Sequence, residues 1–284
     1  MSTGDRSTDD LFREAVEAID AADTHALSRL LAAHPPLAHA RLESPGAWLR
    51  DRVGDALEGY FHRPYLLWFV AGNPVRNERL PSDIAAIAAM LAEAARHAED
   101  AGLQEQLDYA LGLIVTGRVA RESGVQIALM DALIDGGARP GDGIGALGAA
   151  NLEAAAHLLD RGGTLTLAGA LCLGRREDAA RLARTATHEE RQIALVAAAV
   201  NGDAQALATL IGLGVDIDAY SIVIHPHATA LHQAVAAGSL GAVEVLAGAG
   251  ARLNIRDKIH RGTPLQWAEY GGHDGIARYL RSLP

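Results

Sequence analysis

The sequence predicts an all-α protein built as a helical-repeat solenoid, with a non-repeat or strongly diverged helical insert along its length. Three observations carry that expectation. Thr229-Ala-Leu-His232-Gln-Ala234 is answered by Thr263-Pro-Leu-Gln-Trp-Ala268 at an offset of 34 residues, and Gly238 with Gly272 and Leu246 with Leu280 keep the same offset. A fixed period of that size is the signature of stacked supersecondary units. Apolar residues make up 49% of the chain but aromatics only 4%, a balance rich in Ala, Leu and Gly that suits closely packed helices better than a sandwich or barrel. Several stretches also place their apolar residues at helical spacing.

Residues 1–10 are polar and are expected to be disordered. Leu11, Ala15, Val16, Ala18 and Ile19 then open an amphipathic helix. Asp23-Thr24 restarts the pattern, and Ala26, Leu27, Leu30 and Leu31 form a second stripe that Pro35-Pro36 must end. Residues 11–43 therefore read as a helix pair. From 44 to 140 the chain is helical in pattern without the usual period. Ser82 is a candidate N-cap, and Ile84, Ile87, Ala88, Leu91, Ala95 and Ala98 follow at helical spacing until Gly102. A further helix carries Leu103, Leu107, Leu111 and Ile114 to Gly117, and Leu129 to Ile134 leads into Gly136-Gly137-Ala138, which has the look of a repeat's helix end. From 141 to 284 the unit returns. Three copies are weak: Ala154 to Gly162, a short degenerate one around Ala170, Gly174 and Leu182, and Ala198 to Gly214. Units that cannot bury their faces alone must stack into one cooperative array.

The last two units resemble the ankyrin repeat family. The residues are Thr229-Ala-Leu-His232, Gly238, Leu246, Gly250-Ala251 and Asn254, then Asp257, Gly262-Thr263-Pro264-Leu265 and Gly272. The resemblance is plain from Arg191 onward, extends back to about Gly143 and to residues 11–43 as an ankyrin-like helix pair, and lapses in the middle. It implies paired antiparallel helices with short hairpin fingers, a concave face that binds proteins, and no chemistry of its own. It also implies scaffolding roles for Thr229, His232 and Thr263, which tie down the turn before each first helix. Gln266 stands where the family has His, and the chain after Gly272 reads as a C-terminal cap.

Charge and cysteine usage narrow the partners. A net charge of −10 gives little basis for holding nucleic acid or an anionic membrane, which need clustered Lys and Arg. The lone Cys172 lies in an apolar stretch and suits a buried thiol. The N-terminus lacks an apolar leader core, and no run approaches the roughly 18 apolar residues of a membrane span. A cytoplasmic, monomeric protein with a protein partner, and with no cofactor, metal or catalytic residue, is the expectation.

The protein-binding candidates are Tyr220, His225, His227, Arg256, Lys258, His260 and Arg261 on the fingers, with Trp267 and Tyr270 on a helix. They mix cations and aromatics on an acidic chain, which favours an acidic or aromatic-displaying partner. His225, His227 and His260 sit on neighbouring fingers, yet their spacing lacks the ordered pairing of a zinc site and reads better as partner contacts. Gly143-Ile-Gly145-Ala-Leu-Gly148 matches the dinucleotide fingerprint but follows a helical pattern where a strand is required.

The alternative is a small-molecule pocket or enzyme site in the middle region. The segment 59–69 holds five of the twelve aromatic residues. Packing explains them, and so does a pocket of Tyr60, His62, Arg63, Trp68, Asp108 and Tyr109, in which His62 with Asp108 or Glu105 would form an acid–base pair if within about 3 Å.

Overall fold

The computed structural model describes residues 6–75, 79–97 and 102–284, which leaves Ala98 of the sequence reading outside. Among the described residues the ordered elements are helices, and there is no strand. The chain forms two compact units that divide at Pro140 and Gly141.

The first unit contains α1 (Thr8–Asp20), α2 (Thr24–Ala33), α3 (Ala47–Val53), α4 (Ile84–His97), α5 (Leu103–Thr116), α6 (Arg118–Glu122) and α7 (Gln126–Asp135). The α1 helix starts inside the segment expected to be disordered, because Ser7 caps it by accepting from the Asp10 N–H and Asp9 is tied down. The Asp9 carboxylate accepts from the Gly46 N–H at 2.7 Å and from the Trp48 indole at 2.8 Å. Ala22 takes the left-handed turn at φ 52°, after which the Asp23 side chain caps α2 by accepting from Ala26. Asp83, rather than Ser82, immediately precedes α4, and the Ser82 hydroxyl donates to the Asp83 carboxylate.

The 3₁₀ segment Leu66–Val70 supplies the core of this unit. Phe61, Leu66, Leu67 and Phe69 are fully buried, and α1, α4 and α5 all pack on the segment. The aromatic concentration is therefore a packing nucleus. Farther along, α7 packs against α4 and α5, and the glycines before and after it, Gly124 (φ 72°) and Gly137 (φ 112°), take the positive φ also found at the turns of the later pairs.

The second unit contains five helix pairs: α8 (Ile144–Gly148) with α9 (Leu152–Asp160), α10 (Leu167–Cys172) with α11 (Arg176–Ala183), α12 (His188–Val200) with α13 (Ala204–Gly212), α14 (Ala230–Ala236) with α15 (Leu240–Gly248), and α16 (Pro264–Tyr270) with α17 (Asp274–Ser282). The first helices pack in chain order, α8 on α10 on α12 on α14 on α16, and α13, α15 and α17 form a second layer. The six-residue α10 is so short that α8 also reaches α12. Thr166, Thr187, Thr229 and Thr263 stand at the N-caps of α10, α12, α14 and α16. Each caps a helix end that otherwise leaves backbone donors unpaired. Cys172 is buried in α10, where burial, with a smaller push from Asp203, raises its thiol to about 12. That fits a small core residue and not a reactive thiol.

The fingers are turns, not two-stranded hairpins. The one before α14 closes through an isolated antiparallel bridge between Tyr220 and Thr229. Its tip folds back along the array, with Ile224 buried against Gly148 and the His225 Nε2 donating to the Gly148 carbonyl at 2.8 Å. The longer finger thus covers the end of α8.

Candidate functional site

The finger before α16 is organised from beneath by one buried carboxylate. Asp257 is fully buried, and its oxygens accept from the N–H groups of Ile259 (2.9 Å), His260 (2.6 Å) and Gly262 (2.8 Å) and from the Trp267 indole (3.0 Å). Burial works against its charge, but those N–H donors win and hold the carboxyl far below the usual range. One side chain thereby fixes the turn that carries Arg256 to Arg261 and locks the Trp267 ring on α16.

Trp267 is packed on its inner side by His232, with ring centroids 5.1 Å apart, and by His227 at 6.0 Å. Beyond it opens a cleft of about 900 Å³ lined by Arg256, His260, Arg261, Trp267, Tyr270 and His273, with Ala236, Gln266 and the glycines 262 and 271 completing it. No Asp or Glu lines this cleft. Tyr270 stands 98% exposed at its edge. Arg256 donates to the Arg261 carbonyl at 2.6 Å and weakly to the Gln266 amide oxygen at 3.4 Å, which braces the finger against α16.

Five of the nine sequence candidates, Arg256, His260, Arg261, Trp267 and Tyr270, therefore share one cleft. The other four do not line it. Tyr220 donates to the Arg256 carbonyl at 2.6 Å and lies under the Lys258 ammonium at 4.2 Å, so this pair fastens one finger to the next. His225 is engaged with Gly148. His227 stacks behind Trp267, with its ring 6.1 Å from that of His225. The three finger histidines thus do not converge on one point, and no group of His, Cys, Asp or Glu suited to a metal ion occurs among the described residues. Sequence reasoning missed Asp257 as an organiser and His273 and Gln266 as lining residues. The Asp257–Gly262–Thr263 spacing was the available signal for the first.

The alternative pocket is not assembled. Trp68 and Tyr109 stack at 4.2 Å, with Trp68 in the core donating to the Gln106 carbonyl at 3.2 Å. The Tyr109 hydroxyl donates to the Tyr60 carbonyl, and burial, followed by Tyr60, raises its pKa. Asp108 is taken by Arg139 through two bonds of 2.8 and 2.6 Å and by the Arg139 N–H at 2.7 Å, and Glu105 by Arg41 at 2.6 Å. The His62 Nδ1 faces the Leu57 carbonyl at 3.0 Å, and Arg63 pairs with Glu43. No acid–base pair of His62 with either carboxylate forms. His62 and Arg63 line a separate cleft of about 450 Å³ that none of the other four joins. Arg41, which sits 4.2 Å over Tyr65 and 5.5 Å from the Trp68 ring, is the cation of this region that the sequence reading did not single out.

His232 behaves as scaffolding. Its Nδ1 accepts from the Thr229 hydroxyl at 2.8 Å, and its Nε2 donates to the Gly262 carbonyl at 3.1 Å, the tautomer these partners require. Burial is the main influence lowering its pKa, and the same holds for His227. A histidine kept neutral in the fold contributes stability that is complete above its unfolded value of about 6.5 and declines as pH falls below it, because the unfolded chain then binds more protons. Gln266 makes the equivalent cap on Thr263 without titrating. Thermal melts at pH 7.5 and 5 should therefore show a smaller acid-induced drop for His232→Gln than for the parent, and equal drops would refute this account.

These features define a helical-repeat scaffold with an open, acid-free cleft at its C-terminal end. Residues 195–283 match the family model described as ankyrin repeats (3 copies), which covers the last three helix pairs. No curated protein matches the sequence. No described helix is long and apolar enough to cross a membrane.

Proposed function

We propose that this chain is a non-catalytic scaffold that holds a partner protein in the cleft between the Arg256–Arg261 finger and α16. Ankyrin repeats generally mediate protein–protein interaction. The observation that carries the reading is the juxtaposition of two arginines, a half-buried Trp267 and a 98% exposed Tyr270 in one cleft with no acid in its lining. Trp, Tyr and Arg are the residues on which binding energy concentrates. The lone buried Cys172 suits a reducing compartment, and we place the protein in the cytoplasm on that ground.

The test is affinity capture of the tagged chain from native lysate beside an Arg261→Gln/Tyr270→Ala variant. Both side chains are exposed, so the variant should melt with the parent. A protein retained near stoichiometrically by the parent and lost by the variant supports the cleft. Equal capture by both would move the site elsewhere on the array.

A further inference from the structure

The charge of the cleft is at odds with the rest of the chain. Thirty-five acidic residues against twenty-five basic ones leave a net charge of −10, yet the lining carries Arg256, Arg261, His260 and His273 and no carboxylate. On the same two repeats other arginines are neutralised: Arg252 by Asp218 at 2.8 Å and Arg281 by Glu269 at 2.6 Å. Arg256 meets only neutral acceptors, and Arg261 has no ion pair among the described residues. Asp257 lies beneath the finger with its oxygens occupied by four N–H donors. Asp257 holds the finger backbone from below, and both arginines line the cleft.

We propose that the cleft takes an acidic, extended segment of a partner protein, with Asp or Glu side chains against Arg256 and Arg261 and an apolar side chain against Tyr270. This rests on the cleft being the partner site. Guanidinium–carboxylate pairing is charge-assisted and directional, which gives the segment its register. The volume of about 900 Å³ exceeds what a lone inorganic anion fills and suits several side chains. Nucleic acid is disfavoured by the acidity of the surrounding chain, which repels a continuous line of phosphates.

The experiment is an array of fluorescent 12-residue peptides rich in Asp and Glu with one aromatic residue, each beside its Asn/Gln counterpart, titrated by anisotropy against the full chain. Acidic members should bind at least about tenfold more tightly than their amide counterparts and weaken steeply with salt. Arg261→Gln should lose about tenfold, while Arg118→Gln in the first unit should change nothing. Absence of any acid-dependent member, or equal binding by the amide peptides, overturns the acidic ligand. The partner-site reading would survive that result if capture still depended on Arg261 and Tyr270. Tighter binding of pyrophosphate or of a single-stranded oligonucleotide, lost in Arg261→Gln, would overturn the proposal in favour of a phosphate ligand.

Discussion

Asp257→Ala should destabilise the second unit by about 3–5 kcal/mol and abolish binding at the cleft. The substitution removes the acceptor for three backbone N–H groups and the Trp267 indole, all of which lose a charge-assisted, part-buried bond. Each such bond contributes about 1.5–3 kcal/mol, and water entering the loosened finger recovers part of the loss. The effect should run in sequence: the turn from Ile259 to Gly262 opens, Trp267 is released, and the brace from Arg256 to the Arg261 carbonyl slackens. Asp257→Asn keeps one oxygen but sets an NH₂ against donors, so it should fall between parent and alanine. Urea unfolding of variants that keep Trp267 as their single tryptophan, followed by its fluorescence, reads the change, and a loss below about 1 kcal/mol would refute the organising role.

The same residue fixes an acid-side signature. Its carboxyl is held far below the unfolded value of 3.8, so its contribution is complete above that value and is lost as pH falls toward the folded one. The Asp257→Ala protein should therefore lose less further stability between pH 4 and 2 than the parent does. Parallel acid titrations of the two would contradict the assignment.

The sequence disclosed the array where loop lengths are constant and hid it where they vary. Thr229 and Thr263 lie 34 residues apart and were found by offset. Thr187 and Thr166 perform the same capping but precede the next cap by 42 and 21 residues, so a fixed period passes over them. The extra length before α14 is the finger that folds back onto Gly148, and the missing length belongs to the six-residue α10. Within the candidate site, the cations and aromatics were legible as surface residue types on fingers. Their sorting was not, because whether Lys258 meets a partner or Tyr220 depends on the separation of two fingers, and no local pattern encodes that distance. The middle aromatic segment posed the same difficulty, since composition favours a core there but also fits a pocket.

Phe69→Ala decides between those two readings of the aromatic segment. Phe69 is fully buried, with ring centroids 5.3 Å from Phe61, 6.4 Å from Phe12 and 6.4 Å from Trp48. Truncation removes the transfer free energy of the ring and leaves a cavity that neighbours from α1, α3 and the 3₁₀ segment fill only in part. The expected cost is about 3–5 kcal/mol. The lost edge contacts with Phe12 and Phe61 enter the same sum, since aromatic pairs are worth about 0.5–1.5 kcal/mol beyond burial. Phe69→Leu, which conserves more volume, should cost well under half as much. Trp48 and Trp68 report on the first unit and Trp267 on the second, so denaturation of single-tryptophan variants assigns the loss to its unit. A loss near 4 kcal/mol seen through Trp48 makes the segment a packing nucleus. Retained stability with Phe69 truncated would mean that the aromatic residues are not needed for folding and would return the segment to consideration as a ligand site.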